Sequence, residues 1–425
     1  MIKILSANTD KNAIFKRTEP KIDVTAIVKE ILENVKEKGD IALYEYTQKF
    51  DGAKLESLLV SQEEIDEAIK SVDPEFIRVL KKASENIKLF HSAQKREGFE
   101  VKNLDGAIVG QKIIPIEKAG LYVPGGTASY PSTVLMDAIP AKIAGCEQVV
   151  MVTPPDKNGK INPVILASAS VAGVDKIYKV GGAQAIGALA FGTQTIPKVD
   201  KIVGPGNAFV AEAKKQVFGQ VSIDMIAGPS EILIVADKDN DPKYIASDLL
   251  SQAEHDKMAS AVLITDSIDF AKRVSDEIEN QIPLLLRAEI ARASIDDNGK
   301  IIVAENLDNA IELANLLAPE HLELCLENPF IYLDKIKHAG SVFLGKNCPE
   351  AMGDYIAGAN HTLPTSGTAR FSSALSVDDF IKKTQYIYYS RDALEKSAKD
   401  VEYFALKEGL TAHAKSAVIR VTENE

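Results

Sequence analysis

The spacing of apolar residues divides the chain into a helical first hundred residues and an alternating α/β remainder. Apolar positions recur three and four residues apart along 24–35 and 76–90, as in amphipathic helices. From Ala107 onward, short β-branched runs typical of buried strands alternate with apolar helical stretches. Four such strand–helix units follow one another between 121 and 217. Because parallel strands need crossover connections, these units predict a parallel, doubly wound sheet.

Three of the predicted strands lead directly into glycine turns. These turns are Pro124-Gly-Gly126, Gly181-Gly182 and Gly204-Pro-Gly-Asn207. Ligands of doubly wound sheets bind outside the carboxyl ends of the strands, and glycine lets backbone amides approach a pyrophosphate. The chain lacks the Gly-x-Gly-x-x-Gly fingerprint of dinucleotide binding. The pattern alone therefore favours a cofactor site and plain tight turns equally.

One stretch, Gly228–Asp256, combines a strand, a turn and a helix. Ile232–Ala236 is a short β-branched run, and Asp241-Pro242 is a typical helix start, an N-cap followed by proline. Near the end of that helix, Gln252 and His255 stand three residues apart and share one face, roughly 5–6 Å apart. An amide oxygen and an imidazole can form half of a metal site. On spacing alone, a surface or capping role is the commoner outcome.

Composition and charge exclude several classes of protein. The 425 residues can bury a large core and suggest about two to four domains. A net charge of -12 and a pI near 5.2 argue against nucleic-acid binding. The N-terminus lacks a signal-peptide pattern, and no apolar run reaches the ~18 residues of a membrane span. The three cysteines are unclustered. These features predict a cytoplasmic protein without a disulfide framework.

Four of the six histidines occupy distinctive positions, namely His255, His321, His361 and His413. His321 follows Glu320, and such a pair can transfer protons near neutral pH. Adjacent residues do not share a face, so for an arbitrary pair a structural role is commoner. Asp354 lies in a glycine-rich segment, 349–373, that is long for a plain turn. Its carboxylate fits either a metal ligand or a turn residue.

A set of short motifs resembles the histidinol dehydrogenase family. They occur in the family's order across about residues 120–373, and they are Gly120–Gly126, Val180–Gln184, Val203–Asn207, Asp224–Glu231, Gln252–His255, Ala318–Leu322, Gly353–His361 and Thr368–Ser373. Together they are specific, although each alone is weak. Two departures are Ala359, where many relatives have proline, and Ala374, where glycine is usual. Neither departure touches a residue to which the family's chemistry is assigned.

The resemblance implies a reaction and a set of site residues. Members oxidise L-histidinol to L-histidine through L-histidinal with two NAD, in the last step of histidine biosynthesis. The implied zinc ligands, for one Zn²⁺ per subunit, are Gln252, His255, Asp354 and His413. The match of His413 rests only on its place in the C-terminal segment. Glu320 and His321 are the implied acid/base pair.

Further positions follow from the same resemblance. The implied substrate contacts include Ser230, His361 and Glu408, together with Gln252, His255, His321, Asp354 and His413. The implied NAD contacts are Tyr122, Gln184 and Asn207. The family forms homodimers whose sites draw on both subunits, so Glu408 and His413 are open to assignment to either subunit.

The resemblance also implies an α/β architecture of two Rossmann-like, doubly wound domains with small helical additions from both chain ends. The expected division is an N-terminal arm at 1–20, a first domain at 21–120 plus 232–375, a second, NAD-binding domain at 121–231, and C-terminal helical segments at 376–425.

Three rival functions are open to the same sequence. A zinc hydrolase would keep the ligands and Glu320 but bind no nicotinamide, and the glycine turns count against it. A thiol-dependent aldehyde dehydrogenase would use Cys146 as its nucleophile. That cysteine ends an apolar helix, which favours a buried side chain. A non-catalytic zinc- or nucleotide-binding protein would have no need for both Glu320 and His321.

Overall fold

The computed structural model describes residues 1–8, 11–17, 23–125 and 130–422. Gly126 of the first glycine turn and part of the predicted N-terminal arm lie outside these ranges. Among the described helices, none is both long and apolar enough to cross a membrane.

The strands alternate with helices through most of the chain. The strands are β1 (Lys3–Ser6), β2 (Phe99–Lys102), β3 (Ile108–Pro115), β4 (Lys118–Tyr122), β5 (Gln148–Thr153), β6 (Lys176–Lys179), β7 (Lys201–Val203), β8 (Ser222–Ile223), β9 (Glu231–Ala236), β10 (Ser260–Thr265), β11 (Lys300–Val303), β12 (His321–Cys325), β13 (Ser341–Leu344) and β14 (Ile381–Tyr388). The α/β class predicted from the apolar pattern is confirmed.

Five helices follow β1 within the first hundred residues, most of which are helical as the spacing predicts. The helices are α1 (Lys11–Phe15), α2 (Thr25–Lys38), α3 (Asp40–Phe50), α4 (Gln62–Ser71), α5 (Pro74–Ser92), α6 (Pro131–Ala144), α7 (Pro163–Ala172), α8 (Gly182–Phe191), α9 (Ala208–Val217), α10 (Pro242–Ala253), α11 (Ile268–Gln281), α12 (Ala288–Asn298), α13 (Leu307–Leu317), α14 (Phe330–Leu333), α15 (Glu350–Met352), α16 (Arg391–Lys407) and α17 (Thr411–Val418). The Asp241 carboxylate caps α10, and Pro242 takes its first turn, as predicted.

Contacts divide the chain into two compact units. The first comprises Met1–Gln94 and Glu117–Phe380, and the second comprises Lys95–Ile116 and Ile381–Glu425. The first unit contains both parallel sheets, so the predicted boundary between two Rossmann-like domains stays a prediction.

The first unit contains a five-stranded parallel sheet in the order β6-β5-β4-β7-β8. The order reverses between β4 and β7, and this switch point is where doubly wound sheets place their ligands. Helix α2 packs on α8 over this sheet, and Leu32 and Val35 pack so closely on Gly187 that a Cβ there would meet Leu32 at 3.1 Å. Helices α2 to α5 thus pack against the five-stranded sheet or against the helices that cover it.

The same unit contains a six-stranded parallel sheet in the order β1-β11-β10-β9-β12-β13. Alternate residues of β9 pack into two different hydrophobic clusters, one on each face of the sheet. Ile232 and Ile234 pack with α10, α11 and α12, whereas Leu233 and Val235 pack with α13 and Ile14. Both faces are therefore covered, which explains the unbroken apolar run in this strand.

The second unit is built on an antiparallel sheet in the order β14-β3-β2, and α16 and α17 pack against each other. The expectation of helical structure from Val377 onward is wrong for Ile381–Tyr388, which form β14. Tyr388 pairs with Ile108 and Ile381 with Pro115. This strand depends on pairing with a distant segment, which local residue spacing does not reveal.

Candidate functional site

The predicted acid/base pair lies where β12 begins in the six-stranded sheet. Helix α13 ends at Leu317, Ala318 adopts a left-handed conformation at φ 46°, and Pro319 leads into Glu320. Glu320 and His321 are both buried, at 6% and 4% exposure. The pair therefore occupies the amino-terminal edge of this sheet, beside the start of β9.

The backbone of Glu231, the first residue of β9, holds both members of the pair. Its N–H donates to Oε2 of Glu320 at 2.8 Å, and its carbonyl oxygen lies 3.0 Å from Nδ1 of His321. A carbonyl only accepts hydrogen bonds, so Nδ1 carries the proton. In the neutral imidazole, Nε2 is then the basic nitrogen. This Nε2 is buried and has no hydrogen-bond partner among the described residues.

Three carboxylates surround the His321 ring. Nε2 lies 3.6 Å from Oε1 of Glu350 and 3.7 Å from Oδ1 of Asp354, and Nδ1 lies 3.6 Å from Oε2 of Glu320. Burial alone would lower the pKa of His321, but Glu350, Glu320 and Asp354 outweigh it and raise the pKa well above its ordinary value. Burial raises the pKa of Glu320 to about 7 although His321 opposes this shift. The Glu320 carboxyl can therefore exchange protons near neutral pH, and the surrounding carboxylates favour the protonated form of His321.

Gln252 lies in the last turn of α10 and faces Glu350. The amide approaches both oxygens of that carboxylate, with its nitrogen 2.9 Å from Oε2 once the NH₂ group is placed on that side. A carboxylate only accepts, so this orientation is required. The backbone N–H of Glu350 in turn donates to Oε1 of Glu323 at 2.7 Å. The amide oxygen of Gln252 then points away from the Glu350 carboxylate.

Asp354 sits at the centre of a group of imidazoles. It lies in a π-helical turn, Gly353–Ala357, and its carbonyl oxygen is 3.1 Å from Nδ1 of His361. Burial would raise the pKa of Asp354, but His321, His361 and His255 outweigh it and hold the pKa below its ordinary value. Burial lowers the pKa of His255, which favours the neutral imidazole that binds metals.

The site offers donors that could hold a metal ion, although only Asp354 of the predicted ligands belongs to the cluster found among the described residues. Ligand atoms of His321, Glu350 and Asp354 all lie within 4.8 Å of one another, and the Gln252 amide lies beside Glu350. An amide oxygen, an imidazole and a carboxylate are donors that zinc accepts. The structure thus clusters Asp354 with His255 and His361 around the acid/base pair. Ser230 directly precedes Glu231, and its carbonyl accepts a hydrogen bond from Ser260 at 2.9 Å.

Glu408 and His413 belong to the second unit, where both side chains are exposed. Glu408 ends α16, and His413 lies in the first turn of α17. Their predicted roles as substrate contact and fourth zinc ligand stay predictions.

The predicted NAD contacts lie at the carboxyl edge of the five-stranded sheet. Tyr122 ends β4, and its buried hydroxyl accepts a hydrogen bond from Gly182 N–H at 3.1 Å. Gln184 is buried at the start of α8, and the Asn207 side chain caps α9. Gly204 adopts φ +115°, and a Cβ there would overlap the carbonyl oxygen of Tyr122.

Two contacts connect segments around the predicted site residues. Oγ1 of Thr133, in the first turn of α6, lies 3.4 Å from Nε2 of His361. The Gly228 N–H donates to Oγ1 of Thr365 at 2.6 Å. These contacts bring α6 to His361 and the segment before β9 to the segment that contains Thr365.

Sequence reasoning assigned no role to Glu350 or to Glu231. Glu350 precedes Asp354 by four residues, a spacing that places both on one helical face and that could have revealed it. Glu231 lies in the motif Asp224–Glu231, but it contacts the pair through its backbone atoms. A sequence motif does not reveal such backbone contacts. Cys146 is buried, and burial raises the pKa of its thiol to about 12. This argues against the thiol-dependent rival, since the thiolate is the reactive form.

Comparison with known proteins identifies relatives over nearly the whole chain. A family model described as histidinol dehydrogenase matches residues 15–421. A histidinol dehydrogenase of Clostridium acetobutylicum is 55% identical over 94% of this chain and 92% of its own length. One of Bacillus cereus is 53% identical over 100% of this chain and 97% of its own.

A solved structure from the same family is also similar to this chain. The crystal structure of histidinol dehydrogenase from Elizabethkingia anophelis has a TM-score of 0.95 and 42% identity, covering 99% of this chain and 98% of that one. The resemblance predicted from the motifs is confirmed.

Proposed function

Since the chain belongs to the histidinol dehydrogenase family, we propose that it oxidises L-histidinol to L-histidine through L-histidinal with two NAD, the last step of histidine biosynthesis. One observation supports this chemistry most directly. The buried imidazole of His321 has a fixed tautomer with Nε2 unpaired among the described residues, next to a carboxyl group whose pKa is raised to about 7. A buried imidazole beside a carboxyl group that exchanges protons near neutral pH suits an oxidation that releases protons.

His321 is the proposed base for the alcohol. Its Nε2 removes the hydroxyl proton while hydride leaves the carbinol carbon, and the Glu231 carbonyl steadies the ring through Nδ1. The aldehyde must then gain water before a second hydride can leave. Glu320 is the proposed base for that water, and His321 acts again in the second oxidation.

Gln252, His255, Asp354 and His413 are the proposed ligands of one Zn²⁺ per subunit. When bound, zinc would orient the amine and imidazole of the substrate and so place the carbinol carbon for reaction. Among the chain's own groups, Glu350 orients the Gln252 amide by accepting from its NH₂ group, and burial favours neutral His255. Ser230, His361 and Glu408 are the proposed further substrate contacts.

Tyr122, Gln184 and Asn207 are the proposed contacts to NAD, which accepts the two hydrides. Their place at the carboxyl edge of the five-stranded sheet, near its switch point, supports the assignment. We further propose a cytoplasmic homodimer with shared sites, in which Glu408 and His413 serve the partner subunit.

The test is to mix purified protein with L-histidinol and NAD and to count the NADH formed per histidinol consumed, with and without a chelator. Two NADH per histidinol, abolished by metal removal and restored by zinc, are expected. One NADH would mean that the reaction stops at the aldehyde and that Glu320 does not activate water. If zinc-loaded, folded protein forms no NADH, the hydrolase alternative replaces this proposal.

A further inference from the structure

We propose that Arg17 is a positioning residue for the catalytic pair, acting through an ion pair with Glu231. The roles of Glu320 and His321 rest on the proposed function, but the contacts that follow do not. Arg17 comes from the N-terminal segment, far from β9 and β12 in sequence.

The ion pair is well formed and largely shielded from water. Nη1 of Arg17 lies 2.9 Å from Oε1 and 3.3 Å from Oε2 of Glu231. The side chains are 31% and 15% exposed, so the pair is less screened than a surface salt bridge. Charge-assisted contacts of this kind are stronger and more directional than neutral hydrogen bonds.

The same guanidinium also binds the segment that leads into β12. Its Nη2 donates to the carbonyl of Leu317, the last residue of α13 and three residues before Glu320. One side chain therefore binds the start of β9 and the connection that leads to the catalytic pair. Since Glu231 holds both Glu320 and His321 through its backbone, a shift of this residue would move both groups together.

The absence of a side chain at Gly367 leaves room for the Arg17 guanidinium. Gly367 adopts φ +78°, and a Cβ there would stand 2.9 Å from Nη2. A backbone hydrogen bond from Ser366 also reaches the Glu231 carboxylate. Residues 366–367 thus lie against the ion pair. Their contacts restrict the geometry of the ion pair more than the attraction between the two charges would alone.

The ion pair borders a cleft of about 1160 Å³ that is also lined by Leu317 and Pro319. A small cation can therefore reach the place of the guanidinium if the Arg17 side chain is shortened. Chemical rescue by free guanidinium becomes a direct test of positioning.

The variants are Arg17→Ala, Arg17→Lys and, as matched control, Arg292→Ala. Arg292 pairs with Glu279 at 2.8 Å through both terminal nitrogens, with exposures of 32% and 30%, and within the described ranges no contact links it to the catalytic pair. Steady-state kinetics with L-histidinol and NAD are measured on the zinc-loaded protein, and zinc affinity is measured by competition with a chromophoric chelator.

For Arg17→Ala we expect kcat to fall roughly 10–100-fold, because misplaced catalytic groups slow the chemistry, with KM for histidinol and zinc affinity within about 3-fold. Guanidinium should restore part of kcat, and Arg17→Lys should lie between the two. Arg292→Ala should match the original protein.

Three outcomes would overturn the inference. They are a kcat of Arg17→Ala within about 2-fold of the original, an equal loss in Arg292→Ala, and a loss that Arg17→Lys and guanidinium both fail to restore. Because Arg17→Lys retains the charge, it decides the question if Arg17→Ala does not fold. Inactivity of the original protein would instead count against the proposed function.

Discussion

At the scale of single residues, the site derives its chemistry from backbone contacts as much as from side chains. The orientation of His321 follows from one carbonyl, that of Glu231, and the position of Glu320 follows from the N–H of the same residue. The two side chains stay close together, with Nδ1 of His321 3.6 Å from Oε2 of Glu320. The proposed roles of the two groups concern different atoms, the hydroxyl of the substrate and an incoming water.

Glu320→Gln tests that division of labour. A neutral amide cannot accept the proton of water, so oxidation of added L-histidinal should fall by about 10²–10⁴-fold. Oxidation of histidinol to the aldehyde should fall much less, since His321 serves that step. Single-turnover NADH formation from each substrate measures the two losses. Equal losses would reject a role of Glu320 confined to water.

A second carboxyl group, Asp137 in α6, makes stability depend on pH. Burial and the nearby Asp224 raise its pKa to about 8 from 3.8. The folded state therefore retains this proton where the unfolded chain has lost it, so stability is lost as pH rises from about 4 to about 8, by at most ~1.4 kcal/mol per pH unit. Only one of its oxygens has a partner among the described residues, the Thr362 hydroxyl at 3.0 Å.

Asp137→Asn removes this titration while keeping a group that can bond Thr362. Its thermal midpoint should therefore decline less between pH 5 and pH 8 than that of the original protein. Asp308→Asn changes a carboxylate that is 70% exposed and serves as the control. Parallel pH profiles for the original protein and Asp137→Asn would show that Asp137 is ionised in the fold.

At the scale of elements, the two parallel sheets use opposite edges. The carboxyl edge of the five-stranded sheet bears Tyr122 and Gly204, as the rule for doubly wound sheets predicts. The amino-terminal edge of the six-stranded sheet bears Glu231 and His321. The rule therefore applies to the proposed cofactor residues only. No general rule pointed to the second edge, and there the motifs were the only guide.

Local spacing predicted the helices and parallel strands well because both carry their own periodic signal. It missed β14, whose residues are mostly exposed and which exists through pairing with β3. It also missed Glu350 and Arg17, whose importance depends on contacts with Gln252 and Glu231 across more than ninety residues of chain. Such contacts follow from the complete fold and not from any single segment.

The turn after β7 offers a test of the cofactor edge. Gly204→Ala combines a backbone conformation that L-residues avoid with an overlap against the Tyr122 carbonyl, so the turn must move. We expect KM for NAD to rise and stability to fall by ~1–3 kcal/mol or more. KM for NAD and the thermal midpoint are the measurements.

Gly219→Ala is the matched control for that variant. Gly219 adopts φ +98°, yet a Cβ there would have nothing within 4 Å. It should lose stability through backbone strain alone and leave KM for NAD unchanged. If both variants raise KM for NAD equally, the overlap at Tyr122 is irrelevant to cofactor binding.

At the scale of the whole molecule, the first unit holds three of the four proposed zinc ligands, Gln252, His255 and Asp354. The fourth, His413, is exposed on the second unit, as is Glu408. A ligand for zinc gains little from a permanently solvated position, because bound metal is held best by several preorganised donors. An exposed histidine with a proposed ligand role is therefore explained most simply by a site shared between two copies of the chain.

Mixing two inactive variants distinguishes a shared site from a self-contained one. In a shared arrangement, a mixed dimer of His321→Ala and His413→Ala chains has one site carrying both changes and one site carrying neither. Random reassociation of equal amounts makes half of the dimers mixed, so activity should return to roughly a quarter of that of the original protein. If each chain builds its own site, every site remains damaged. Co-purification of differently tagged chains establishes that mixing occurred, and mixed dimers without activity would assign His413 to its own subunit.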